Sequence, residues 1–593
     1  MSAIYEKIRA LQPRRSKFDL SYVKTFDCDM GQLIPVFIKH VVPGDFLKLG
    51  AEAAIRAVPA LAPYFATVNA EFFSFFVPYR ILMGEDKELS DGSKDWEIDD
   101  HAFETFLTGG RDGKIVVSLP RWEVGNGKVV NDNNNGVNTV DVNVTVKENG
   151  KYSLWDYLEF PVDVIPQGAF PLDFSKRAYN LIYDTWFRDE NFQDYISVSG
   201  NNKVMNACWK KDYFTSCLPW QQRGVAPGLP ISGVLPVSFK GSSSFSAKSL
   251  VFDDPHAHNF LWRDDEGNGV NTFVSAFRRQ SGPNFNPVQA YVNGTTPSTY
   301  AGLDSIKGFT AFDSKGVGVS LSGSTDGFGF SSDKITGSVD LADAVRPDVS
   351  QLRLAVQIQK WLERNARSGY RMNEFLLAHF GVAPRDETLQ KPQFIGGTKA
   401  PVIVSEVLQT SQTTPGEEGS ALGDMGGHTL SASSSRIGNF HVNEFGLVMT
   451  LLVVRPRASY QQGIDREWLY DTKYDFYFPE FAHLSEQMVY MAEIYAQNNN
   501  LDSNGNRIPL GFQGRYNELR RSTNKSCGGM RDQLSYWHLG RKFSYVPQLN
   551  EDFMKCVPSK RVFAVQNEPV LICNVNNLCT AYRPLPAYAE PSL

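Results

Sequence analysis

The residues whose types could do chemistry fall into a few short clusters. In DDPHAH, the alternate histidines His256 and His258 would point the same way on a strand and, with Asp253 and Asp254, could ligate a metal. Pro255 and the acidic neighbours favour a polar loop instead, and no metal is expected there. Asp502, Asn504 and Asn506 in LDSNGNR resemble the start of a calcium loop, but the bidentate glutamate that pattern requires does not follow, so a tight turn is expected. Asp99 and Asp100 could act as an acid and base pair only inside a pocket; on a surface they are a solvated face. The seven cysteines, Cys28, Cys208, Cys217, Cys527, Cys556, Cys573 and Cys579, are odd in number and contain no CxxC pair, which argues against a disulfide scaffold or a zinc site. The metalloprotease, serine-hydrolase, P-loop, kinase and dinucleotide-binding signatures are missing. No catalytic residue, metal or cofactor is therefore expected.

What remains is chemistry directed at phosphates. The net charge of −6 excludes a globally basic nucleic-acid binder, so any such contact must be local. The first candidate is the N-terminal arm, where Lys7, Arg9, Arg14, Arg15, Lys17 and Lys24 face only Glu6 and Asp19. An arm of this kind could neutralise phosphates without reading bases, or could pair with neighbouring subunits. The second candidate is RYNELRRSTNKSCGGMR, in which Arg515, Arg520, Arg521, Lys525 and Arg531 stand close to Tyr516, a ring suited to unpaired bases. The alternative there is a loop salt-bridged through Glu518 and Asp532.

The elements that must position these groups are mostly short β-like runs between Gly, Pro, Asn and Ser clusters, which favours an all-β sandwich with long loops. Val68–Leu82 and Phe445–Val454 crowd apolar residues onto both alternating faces and read as strands buried on both sides. Between Lys114 and Leu154, Val140, Val142, Val144 and Val146 alternate with polar residues before the turn Glu148, Asn149, Gly150, and Gly125, Asn126 and Gly127 mark another turn, so hairpins leaving the core are expected at about 113–154. From Val225 to Ala344 the chain is rich in Gly, Ser and Asn but keeps aromatics such as Phe260, Trp262, Phe273 and Phe277, which fits a β-rich surface insertion better than a linker. A helix is expected from Asp348, with Gln351 completing a capping box, Leu352, Val356, Leu362 and Ala366 on one stripe and Gly369 as its stop. Another should run from Asn373 to Phe380 and end at Gly381. The N-terminal residues contain no signal-like apolar run and no later stretch is long enough to span a membrane, so a soluble protein made in a cytoplasm is expected.

Several long motifs, in order, resemble the major capsid proteins of the Microviridae, particularly the gokushovirus-like branch. They include LIPVFIKHVVPGDFLKLG from Leu33, FFVPYRIL from Phe75, DYLEFP from Asp156, RAYNLIYDTWFRDENFQD from Arg177 and KDYFTSCLP from Lys211. After the Gly/Ser-rich stretch come IQKWLERNARSGYRMNEFLLAHFGV from Ile358, LQKPQFIGGTKAPV from Leu389, SYQQGIDREWLYDTKYDFYFPEF from Ser459, DQLSYWHLGRKF from Asp532 and YRPLPAYAEPSL from Tyr582. The resemblance spans nearly the whole chain.

It implies an eight-stranded viral jelly-roll β-sandwich with long inter-strand insertions and a few helices, in which sixty copies close an icosahedral T=1 shell around circular single-stranded DNA. The expected organisation is a basic N-terminal arm (1–24), a jelly-roll core (25–224 and 345–581), a surface insertion forming three-fold protrusions (225–344) and an extended C-terminal tail (582–593). Implied partners are the chain itself, packaged single-stranded DNA, a small basic DNA-binding protein, a DNA pilot protein, a scaffold protein and a host surface receptor such as a glycan. The expected location is the virion, assembled in the host bacterial cytoplasm. Lys7, Arg9, Arg14, Arg15, Lys17, Arg520, Arg521 and Lys525 are the expected DNA contacts. The tail, with three prolines from Arg583 onward, should be extended and strap a neighbouring subunit. Two rivals are a sugar-binding sandwich, for which a secretion signal would be expected, and a sandwich hydrolase, for which no convergent acid, base and nucleophile are found.

Overall fold

The computed structural model describes residues 14–588 apart from 91, 100, 123–125, 134–135, 144–149, 163–170, 369–370, 409–424 and 498–499; within 228–348 it describes only short strands, and for 126–143 and 404–434 backbone alone. Ten strands build two antiparallel sheets. They are β1 (Ser16–Asp19), β2 (Tyr22–Cys28), β3 (Leu33–Val41), β4 (Phe46–Ala57), β5 (Val68–Pro78), β6 (Gln393–Val402), β7 (Val404–Leu408), β8 (Met425–His441), β9 (Gly446–Pro456) and β10 (Leu571–Arg583). The first sheet has the order β1-β10-β4-β8-β7, with β2 following β1 along the same edge of β10, and the second has the order β6-β5-β9-β3. Most turns between core strands are short; the chain makes its long excursions at 79–392, after β5, and at 457–570, after β9.

Side-chain period explains how the sheets stack. In β5 the even positions Val68, Ala70, Phe72 and Phe76 join Val448, Leu452 and Val454 of β9 and meet Leu47, Leu49, Ala51, Ala53 and Ile55 of β4 and Cys573 and Val575 of β10 in one core. The odd positions Phe75 and Val77, with Leu447, Met449, Leu451 and Val453 of β9, turn the other way. They pack on Trp122, Trp155 and the helix α1 (Phe174–Ile182), which contributes Phe174, Tyr179 and Ile182. The two central strands of the second sheet, β5 and β9, are thus buried on both faces, as their continuous apolar runs predict. Each of their large side chains contributes about 1.5–3 kcal/mol by leaving water. Ser74 and Thr450, opposite one another at the sheet's centre, satisfy each other's hydroxyls at 2.7 Å.

The first sheet alternates instead. In β10 Leu571, Cys573 and Val575 are buried while Ile572 and Asn574 are exposed, and β4 turns Lys48, Ala54 and Arg56 outward. A third, smaller core of Tyr213, Phe214, Tyr460, Val489, Ile494, Leu510 and Phe553 holds the excursion after β9.

Several expectations change here. Residues 16–28 are not a free arm: Lys17 pairs with Tyr582 and Lys24 with Val575 across the ladder, and the tail likewise enters the sheet as far as Arg583. Phe18, Leu20, Tyr22 and Phe26 alternate with polar residues, and that period-2 signal outweighs the basic composition. The hairpin after Gly110 pairs Asn126–Asn133 with Gly136–Asn143, so Asn126 and Gly127 lie in a strand, opposite Asn143 and Val142, rather than in a turn. Residues 134–135, Val144, Val146 and the turn expected at 148–149 lie outside the described residues.

The chain divides into two compact units, Met1–Ala226 with Ile358–Leu593, and Pro227–Gln357. The boundary expected near 344 therefore falls inside the helix α2 (Val349–Ser368). In the second unit the described backbone forms short antiparallel pairs, such as Asn259–Trp262 with Thr272–Ser275 and Gln289–Val292 with Thr295–Thr299. Along α2, Ala366 is buried and Leu362 half-buried, but Leu352 and Val356 are exposed, so the expected apolar stripe is covered only toward the C-terminal end. The helix α3 (Met372–Phe380) ends at Gly381, whose φ of 69° closes the last turn as expected.

Candidate nucleic-acid interface

The structure separates the N-terminal candidates. Lys7 and Arg9 lie outside the described residues, while Arg14, Arg15 and Lys17 are exposed where β1 meets the end of β10. Beside them Asp45, fully buried, accepts an ion pair from Arg583 at 3.1 Å; burial raises its carboxyl against the pull of Arg583 and Arg15. Lys24 is engaged within the chain. Its ammonium donates to the Pro35 carbonyl at 2.9 Å and the Tyr157 carbonyl at 2.6 Å and pairs with Glu159 at 3.2 Å, and burial lowers its pKa.

The second cluster also divides. Arg521 is held at home, donating to the Asp212 carbonyl at 3.1 Å and to Ser216 Oγ at 2.6 Å, and Lys525 pairs with Asp465. Glu518, offered as a salt-bridge partner for the arginines of its own loop, makes its ion pair elsewhere. Glu518 is buried and turns inward to Arg466, 3.8 Å away, and to Gln487 at 2.5 Å. Arg466 also meets Glu493 at 3.2 Å, whose other oxygen accepts from the Tyr213 hydroxyl at 2.7 Å. Burial raises the Glu493 carboxyl, and the network knits the third core together.

Arg515 and Arg520 face a different neighbour. Arg515 donates to the Tyr474 carbonyl at 2.7 Å and lies over the rings of Tyr516 at 4.9 Å and Phe481 at 6.0 Å. Together with Arg520 and the loop Ala482, His483, Leu484, it lines a cleft of about 620 Å³ whose other wall is the helix face carrying Lys360, Glu363, Arg364 and Arg367. Positions 360, 364 and 367 share one face by helical spacing. Nothing in their local sequence marks them as facing Arg520; the i, i+4, i+7 basic spacing in KWLERNAR is the signal a sequence reading could have used.

The remaining candidates resolve into local structure. Asp502 accepts from the amides of Asn504 at 2.9 Å and Asn506 at 2.8 Å, with Gly505 at a φ of 79°, a self-contained turn as expected. Asp99 caps the helix Ala102–Thr108 by accepting from the amides of His101 and Ala102, both at 3.1 Å. Asp100, Asp253, Asp254, His256 and His258 lie outside the described residues, and among the described residues no group of three or more potential ligands gathers at one point. No helix among them is long and apolar enough to cross a membrane.

Comparison with known proteins gives this sandwich its class. A family profile described as "Capsid protein (F protein)" matches residues 6–102 and 122–593. The chain is 31% identical to capsid protein VP1 of Chlamydia phage 1, over 98% of this chain and 96% of that one. It is 28% identical to capsid protein VP1 of Bdellovibrio phage phiMH2K (99% and 97% covered) and 27% identical to capsid protein VP1 of Spiroplasma virus 4 (98% and 95%). The protein is a bacteriophage coat protein, structural and not enzymatic. It belongs to the F protein family of capsid proteins, the major capsid proteins of the Microviridae, and its place is the virion shell that it forms with copies of itself.

Proposed function

We propose that sixty copies of this chain close a T=1 icosahedral shell around circular single-stranded DNA, with the sandwich as the wall. The strand order carries the reading. Taken in sequence, β2, β3, β4, β5, β6, β8, β9 and β10 fall into the sheets β2-β10-β4-β8 and β3-β9-β5-β6, an order that supports reading the sandwich as an eight-stranded jelly roll. Closed symmetry then requires heterologous contacts around five-fold and three-fold axes.

In this reading the N-terminal residues and a few loops face the DNA. The unit at 227–357 is the exterior protrusion at the three-folds and contributes to host attachment, with a surface glycan as a candidate receptor. The last residues beyond β10 strap a neighbour. A small basic DNA-binding protein, a pilot protein and a scaffold protein complete the particle, which is assembled in the bacterial cytoplasm. The net charge of −6 supports a separate basic partner, because the chain alone neutralises little DNA charge.

Electron microscopy of the expressed chain, with and without circular single-stranded DNA, tests this. Uniform small icosahedral particles are expected, whereas persistent monomers that bind glycans would favour the sugar-binding alternative. Removing 584–593 should reduce shell yield and leave soluble subunits; normal shells from that truncation would sink the strap.

A further inference from the structure

The cleft between α2 and the loops at 482–484 and 514–520 holds more positive charge than its own acids balance. Lys360, Arg364 and Arg367 stand on one face of α2, and Arg515 and Arg520 line the opposite wall. Of the nearby carboxylates, Glu363 accepts from Gln359 at 2.8 Å and buried Glu486 is engaged by Arg367. Lys360, Arg364 and Arg520, all exposed, have no ion-pair partner among the described residues. Like charges four residues apart destabilise a helix, so this row carries a standing cost that an anion would relieve. The row extends about 10 Å along the helix axis, room for more than one phosphate. Beside it, Arg515 lies over Phe481, and Phe481 is flanked by the half-exposed rings of Tyr474, 5.7 Å away, and Phe478, 6.1 Å away.

We propose that this cleft is a binding site for single-stranded DNA, in which Lys360, Arg364 and Arg520 take the phosphodiester backbone and Tyr474 and Phe478 offer stacking faces to unpaired bases. The proposal rests on the reading of the chain as a DNA-enclosing coat protein and gives that reading a defined contact. Cations and ring faces bind every base alike, as a site for a whole genome must. The exposed rings favour a nucleic acid over an acidic peptide, which would use the cations alone.

The test is fluorescence anisotropy of a 5′-labelled 20-nucleotide oligo(dT) with the full-length chain across a salt series, with shell formation scored separately by electron microscopy. Arg364→Ala with Arg520→Ala should weaken binding about 10-fold or more and reduce the slope of log affinity against log salt by about 1.4, two contacts at about 0.7 each. Tyr474→Ala should weaken binding about 10-fold at unchanged salt slope. Glu363→Gln should tighten it about 2-fold or more, a gain that misfolding would not produce. Unchanged affinity and slope in the double variant, or competition by polyglutamate as strong as by unlabelled oligo(dT), would overturn the site. Variants that form normal shells yet bind oligo(dT) like the parent defeat the cleft alone; absence of shells from the parent chain defeats the assembly reading instead, and anisotropy still decides the cleft.

Discussion

The two sheets of the sandwich are built from the same kind of strand and live in different solvents. β5 and β9 are buried at nearly every position, whereas β4 and β10 are buried at every second one. The central strands β5 and β9 are wedged between the partner sheet and the helical excursion around Trp155 and Tyr179, while the edge strand β6 stays partly open to solvent. The other sheet keeps one face for solvent or neighbours and lines it with side chains such as Lys48, Arg56, Asn574 and the pair Glu52 and Asn576, joined at 3.0 Å. The difference teaches where the coat protein can change: β5 and β9 are frame, and the surfaces open to other molecules lie on the other sheet and the excursions.

The sharpest way to break this comparison is to charge the frame. Leu451→Asp, at a position with no exposure, places a carboxylate where both faces are apolar and should abolish soluble, cooperatively melting protein, a loss above about 4 kcal/mol. A folded variant with a normal melting curve would mean that β9 is not enclosed.

The next effect lies in a charge cluster that spans β5 and β9. Glu71 of β5 is 4% exposed and is gripped by Arg455 of β9 and by Lys210. Burial alone would raise its carboxyl, but the hydrogen bonds from Lys210 and Arg455 outweigh burial and hold it below the usual range. Arg455→Met should cost about 1–3 kcal/mol in urea unfolding at neutral pH, because it leaves one oxygen of a buried carboxylate, the other still held by Lys210, without its partner. Since the folded pKa is depressed, the Glu71 contribution is fully present above the unfolded value near 4 and is lost as pH falls through the folded one. The stability gap between the parent and Glu71→Gln should therefore shrink below about pH 4; a gap that widens with acid would reverse the sign of the interaction.

The smallest effect belongs to the outer face. Ile572 of β10 is 50% exposed, and Ile572→Thr should change subunit stability by no more than about 0.5 kcal/mol. A loss of several kcal/mol in the isolated subunit would show that this face is covered within the chain.

The same contrast governs how much could be read in advance. Val68–Pro78 and Gly446–Pro456 announce themselves because strands buried on both faces must be continuously apolar. β4 and β10 are quieter: their inward residues include Ala51, Ala53, Cys573 and Cys579, small groups that interrupt a hydrophobic signal without interrupting the packing. β1 and β2 were masked by their lysines, since a snorkelling Lys24 can lie in a sheet while its ammonium reaches two carbonyls. The basic cleft was half legible. Arg520 stands in a visible cluster, but Lys360 and Arg364 come from a helix far away in the chain, and only the tertiary fold sets them face to face. Conversely Arg521 and Lys525, inseparable from Arg520 by composition, are spent on Asp212, Ser216 and Asp465.

The most direct test of the account is the mass of the particle that the purified full-length chain forms on its own or with circular single-stranded DNA, measured by sedimentation or native mass spectrometry. Sixty copies of a 66.3 kDa chain predict one closed protein shell of about 4 MDa, with any enclosed DNA adding to that mass. A chain that remains a monomer, or that grows into open polymers of no fixed mass, would contradict the closed-shell subunit described above.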